Sequence, residues 1–198
     1  MDHRPATRQP TEIYAPATAP AGITAASHRS SRIARVRVPG YWPLVAVLVV
    51  QMIISLRLVG ANTAFQDEAL YLWAGHLEWA HVLHGTPIPP FSSFFSGAPV
   101  IYPPLAALAD SLGGLAGARV LSLVFMLGST TLLWAIADRL FGRRAAFFAA
   151  ALFAVLGPSL QLGAFATYDA MALFLLALAS WLVVRAGEHN DDRVEYRR

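Results

Sequence analysis

The sequence predicts an all-α membrane protein with about four transmembrane helices and interfacial helices in a long first outer loop. Three observations carry that expectation. The 198 residues are 56% hydrophobic and only 14% charged, against about 25% charged in an ordinary soluble domain. Four apolar runs approach the length a bilayer core requires. Arginines collect in alternate loops between those runs, as the positive-inside rule demands.

The elements follow in order. Residues 1–40 are rich in Pro, Ala, Thr and Ser and show neither a 3.6- nor a 2-residue apolar period, which predicts a disordered tail. The tail closes on RSSRIARVR, with Arg29, Arg32, Arg35 and Arg37. The first span, PLVAVLVVQMIISLRLV, covers 43–59. A helix of roughly 18 residues rises ~27 Å, enough for a bilayer core. Arg57 lies at its far end, where its long stem lets the charge reach the interface. Bulky residues follow instead of a small-residue cleavage site, so the span is a retained anchor. Further spans are expected at 115–137, 145–161 and 168–184, with Gly157-Pro158 marking a kink or an exit in the third. The membrane domain then covers 41–187, and 188–198 form a polar tail.

Charge orients the spans. The cluster Arg29, Arg32, Arg35 and Arg37 directly precedes the first. Arg139, Arg143 and Arg144 lie between the second and third, and Arg185, Arg193, Arg197 and Arg198 follow the fourth. The loops 60–114 and 162–167 hold no Arg or Lys. Both termini and the 138–144 loop are therefore expected in the cytoplasm, in a multi-pass protein of the cell (plasma) membrane. The arginine clusters are accounted for by topology, and no nucleic-acid partner is expected. The absence of cysteine excludes disulfides and thiolate metal sites.

The outer loop 60–114 is too apolar for a simple connector. Thr63 and Gln66 fit a capping box, so a helix is expected to start near residue 64. On it Asp67, Tyr71, Ala74, Glu78 and His81 share one face, and Trp73 and Trp79 suit the headgroup zone. A proline-broken stretch follows, with Tyr102-Pro103-Pro104 opening a helix. LAALADSLGG is then a short apolar helix of the re-entrant or interfacial kind. These segments are expected to roof a water-facing cavity.

The candidates for chemistry are few. Asp67 and Glu68 fit a general base held at the membrane surface, or simply acids favoured by a helix dipole at ~0.3–1 kcal/mol. Asp169 stands at the outer entrance of the fourth span, where an ionisable residue is costly and points to function. Arg119, near the outer end of the second span, fits an anion clamp, a partner for Asp67 or Asp169, or a snorkelling side chain. Asp67, Arg119 and Asp169 are expected to meet at the outer boundary. Glu78, His81 and His84 follow one another at three-residue spacing. A divalent metal there competes with plain polar-face filling. Trp134 and Trp181 are read as belt residues, and Gly128-Ser129-Thr130 as a small packing patch.

The ordered set QDEALY, YPPLAAL, GARVLSLVF, FGRRAA and ATYDAMALFLLALA, over roughly 41–187, resembles the N-terminal part of integral-membrane C-type (GT-C fold) glycosyltransferases. The likeness is to the protein O-mannosyltransferase and aminoarabinose-transferase kinds. It implies transfer of a sugar from a polyprenyl-phosphate carrier to an acceptor on the outer face. It implies Asp67 and Glu68 as the catalytic acidic pair, and Tyr71, Tyr102, Arg119 and Asp169 as substrate-binding residues. Members of that family usually have many more spans. A truncated or split form is therefore expected, with a partner polypeptide supplying the missing helices. The rival readings are a non-catalytic scaffold or partner subunit and a transporter fragment.

Overall fold

The computed structural model describes residues 40–61, 63, 65–93, 95 and 100–195. The expected disordered tail lies outside these residues, except for Gly40. No strand occurs among them. The helices are α1 (Trp42–Val59), α2 (Gln66–His84), α3 (Tyr102–Phe141), α4 (Arg143–Val155), α5 (Gly157–Leu162) and α6 (Tyr168–Glu195), with a 3-10 turn at Phe91–Ser93. Three of them are long and apolar enough to cross a membrane: α1, α3 and the Tyr168–Gly187 part of α6.

The expected third span takes a different form. Its first helix, α4, has 13 residues and rises only ~20 Å, short of a ~30 Å hydrocarbon core. The chain leaves helical geometry at Leu156 (ψ 135°) and resumes in α5. Pro158 accounts for the break: it has no N–H to give the Ala154 carbonyl and its ring would crowd that carbonyl, whereas it fits the first turn of the new helix α5. The two pieces nevertheless progress alongside α1. Arg143 donates a hydrogen bond to the Gly40 carbonyl beside the start of α1, and Gly163 lies against Ser55 near its end. The fourth expected span is confirmed as a helix but does not stop at 184, since α6 continues to Glu195.

The α3 element is two helices across a kink. Gly113 and Gly114 leave helical geometry, and Gly114 has φ 61°, a left-handed value that glycine alone adopts without strain. The short helix expected over LAALADSLGG thus exists, starts at Tyr102, and is separated from the expected second span at that glycine pair. Its early turns pack on α2. Gly75 lies so close to Pro103 that a Cβ would strike the Pro103 carbonyl.

Packing also revises the small features. Trp134 is not a belt residue. It is 5% exposed and sits in a core with Val47, Ala137, Ala146, Ala150 and Ala154. The 128–130 patch does pack helices: Phe174 of α6 closes on Gly128, and the Thr130 hydroxyl donates to Gln51 of α1 at 2.7 Å.

Candidate functional site

At the end of the bundle where α1 stops and α2 starts, a buried ion pair ties the chain together. Glu68 of α2 and Arg119 of α3 are 0% and 2% exposed. Arg119 Nε donates to Glu68 Oε1 and Nη2 donates to Oε2, both at 2.8 Å, a two-pronged fork. Two backbone N–H groups complete the carboxylate's shell. Phe65 donates to Oε2 at 2.8 Å and Ala166 to Oε1 at 2.7 Å. The rest of the guanidinium donates to the carbonyls of Val59 and Thr63. Val59 is among the last residues of α1, whose carbonyls have no partner within the helix. Its carbonyl finds one in Arg119. The Arg119 guanidinium also lies 5.4 Å from the Phe165 ring centroid.

Burial alone pushes the Glu68 carboxyl up. The Arg119 guanidinium and the Phe65 and Ala166 N–H groups outweigh it and hold Glu68 below the ordinary carboxylate range. A carboxylate offers about four acceptor directions, and here four donors use them. Glu68 is therefore a brace, with no free lone pair to take a proton from a substrate.

Beside the brace opens a cleft of about 320 Å³, lined by Phe65, Asp67, Gln161, Phe165, Thr167 and Asp169. Asp67, one residue before Glu68, turns outward and is exposed, as is Asp169 in the first turn of α6. The cleft thus sets two carboxylates from distant segments around one space. Tyr71 lies beneath them. Its phenol is pushed up to about 12 by burial and by Tyr168, Asp67 and Asp169, so it stays protonated at neutral pH. Its ring stacks on Phe95 at 5.1 Å and meets Tyr168 edge-on at 5.4 Å. The Thr167 hydroxyl is buried and has no hydrogen-bond partner among the described residues.

Residues 99–195, which supply Arg119, Gln161, Thr167 and Asp169, match the family model described as dolichyl-phosphate-mannose-protein mannosyltransferase. Over that stretch, just under half of the chain, the match supports kinship with the C-type membrane glycosyltransferases. Comparison with curated proteins and with solved structures gave no match. Three apolar helices and this match together support a multi-pass membrane protein that is glycosyltransferase-like over the matched residues.

Against that family the candidate residues sort clearly. Asp67 and Asp169 share the cleft. Arg119 is not among the cleft's lining residues: it stands behind them, paired with Glu68 rather than with Asp67 or Asp169 and 5.4 Å from the Phe165 ring that lines the cleft. Tyr102 does not reach the cleft either. It is fully buried, with its hydroxyl 3.0 Å from Ser122 Oγ. The expected cap also shifts. The helix starts at Gln66, Phe65 is its N-cap, and Glu68 rather than Gln66 bonds back to the cap N–H.

The histidines have other neighbours. His76 pairs with Asp110 at 2.8 Å, and His81 Nδ1 lies 2.7 Å from the Thr86 carbonyl. Among the described residues no three His, Asp or Glu side chains cluster as metal ligands would. Trp79 is drawn onto the Pro104 carbonyl at 2.9 Å, so it ties α2 to the start of α3. Gln161, Phe165 and Thr167 were missed in the sequence. Gln161 lies near the end of the short helix α5, and Phe165 and Thr167 lie on the connector after it; Thr167 falls within the ATYDAMALFLLALA stretch, two residues before Asp169, and its place there was the one signal.

Proposed function

We propose that the Asp67–Asp169 cleft is a sugar-transfer site facing the outer side of the cell membrane. Its donor would be a sugar linked to a polyprenyl phosphate, and its acceptor a hydroxyl-bearing molecule. The observation that supports this most is the pairing of two exposed carboxylates in one cleft braced by Glu68 and Arg119, within a chain that matches this family in part. Asp67 takes the acceptor proton as the acceptor oxygen forms its bond to the anomeric carbon. The bond from that carbon to the phosphate oxygen breaks, and the lipid phosphate leaves with the electron pair. Asp169 and the Thr167 hydroxyl hold sugar or acceptor hydroxyls. Arg119 acts at a distance, fixing the first turn of α2 and so the direction of Asp67.

The leaving phosphate needs positive charge, and Arg119 is committed to Glu68. Among the described residues lining the cleft there is no cation. We assign that charge to a partner polypeptide seated over the cleft. The same observation favours a second reading, a non-catalytic subunit that shapes a partner's site.

The test is transfer of labelled mannose, the sugar in the family's description, from a polyprenyl phosphate in membranes holding the chain and its co-purifying partners. Under the catalytic reading Asp67→Asn nearly abolishes transfer while the complex stays assembled. Undiminished transfer by Asp67→Asn in a complex that needs the chain leaves only the subunit reading.

A further inference from the structure

The opposite end of the bundle carries a second built feature. The start of α1, the last turns of α3 and the first turns of α4 enclose a groove of about 460 Å³. Aromatic rings line it: Trp42, Trp134, Phe147 and Phe148. Trp134 forms a buried wall, whereas Trp42 and Phe148 are 54% and 70% exposed at the rim. Arg143 and Arg144 complete the lining. Arg143 is held in place by the Gly40 carbonyl and by Asp138, at 3.2 Å from the latter. Arg144 has no partner among the described residues. Between 138 and 145 the chain bears Arg139, Arg143 and Arg144 against Asp138 alone.

We propose that this groove binds one anionic glycerophospholipid, with its phosphate on Arg144 and an acyl chain lying along Trp134 and Phe147. The argument is complementarity of both charge and polarity. A guanidinium without a partner binds a phosphate diester through paired N–H donors. A soluble anion would leave the aromatic slot empty, whereas an amphiphile fills slot and cation together. The groove lies where the apolar helices end, the depth at which phospholipid headgroups and basic side chains meet. Arg143, half neutralised by Asp138, orients the site and adds a weaker attraction. This site is independent of the Asp67 cleft, which lies at the other end of α3.

Intact-protein mass spectrometry on the full chain in neutral detergent tests the proposal. The probes are phosphatidylglycerol and phosphatidylcholine with the same acyl chains. One phosphatidylglycerol should be retained at a concentration on the order of tenfold below that needed for phosphatidylcholine. Arg144→Gln should erase that preference. Arg139→Gln, which removes the same charge outside the groove lining, should preserve it. Phe148→Glu keeps every arginine, sets an opposing charge at an exposed rim position and should also erase it, so the outcome does not hang on one variant's folding. Equal retention of the two lipids by the unaltered chain would overturn the site. So would loss of the preference in Arg139→Gln to the same degree as in Arg144→Gln, which would mark diffuse surface charge. Occupation of the groove by another part of the protein would show as equal, weak retention of both lipids.

Discussion

Arg119 and Glu68, 51 residues apart in sequence, meet through two parallel hydrogen bonds of 2.8 Å in a space that excludes solvent. Breaking a buried pair by removing one partner strands a charge, at a cost of about 3–5 kcal/mol. Glu68→Gln and Arg119→Met should therefore each lower the thermal midpoint of the detergent-solubilised protein steeply. The double change Glu68→Met with Arg119→Met should cost clearly less than the sum of the two single changes. Strict additivity in that cycle would mean the pair is not a unit.

The same pair sets an acid limit. The folded protein holds Glu68 below its ordinary value of 4.5. A group with a depressed folded value adds stability above its unfolded value, and that stability is lost as pH falls through the folded value. The gap in thermal midpoint between the unaltered chain and Glu68→Gln should be full above about pH 4.5 and should shrink below it. A gap that stays constant down to strongly acid pH would remove this account.

At the cleft, the outward acids and the inward one should separate by phenotype. Asp67→Asn leaves every bond of the brace intact, so protein level and melting should barely change. Transfer should fall by about 10²–10⁴-fold if Asp67 is the base. Asp169→Asn should weaken apparent donor or acceptor affinity more than the maximal rate. Glu68→Gln should instead reduce folded protein and activity together. Equal melting losses from Asp67→Asn and Glu68→Gln would contradict the division of roles.

Close packing gives a steric test. At Gly75 the space for a side chain is taken by the Pro103 carbonyl. Gly75→Ala should force α2 away from the start of α3, at the ~1–3 kcal/mol typical of overpacking, and should lengthen the Trp79–Pro104 bond. Gly60→Ala, where the space is open, is the control. Equal melting of the two variants would show that α2 is free to shift.

Orientation has its own readout. The part of α3 after its kink, 115–141, rises about 40 Å, so its two ends stand at different membrane levels. Reporters fused at Gly85 and at Gly142 should lie on opposite sides, with Gly142 in the cytoplasm. The same side for both would sink the outward placement of the cleft.

Much of the fold was readable because membrane helices write themselves as apolar runs. The start of α1, the start of α6 and the glycine break inside α3 all follow from composition and from the geometry of Gly and Pro. The third expected span read as one helix because its apolarity is continuous across Pro158. Hydropathy says nothing about the backbone turn at Leu156.

The site was less legible, for a different reason. Asp67 and Glu68 are neighbours, and successive helix residues point about 100° apart, so at most one of them faces the bundle. The set Glu68, Tyr71 and Gly75 and the set Asp67, Tyr71 and Ala74 are both helical spacings. Only packing decides between them. It turns Glu68 inward, because Arg119 and two backbone N–H groups are there to meet its charge. Nothing in the local sequence reveals a partner 51 or 98 positions away.

The donor that completes the Glu68 shell, the Ala166 N–H, leaves the ribosome 98 residues after Glu68 itself. During synthesis the carboxylate is joined first by Phe65, later by Arg119, and only at the end by the connector before α6. The nascent chain therefore passes through a stage in which α1, α2 and α3 are all present while the Glu68 latch remains open on one side. Closure by Ala166 comes just before α6 is made, so the latch around Glu68 is complete by the time the last helix arrives to pack on α3.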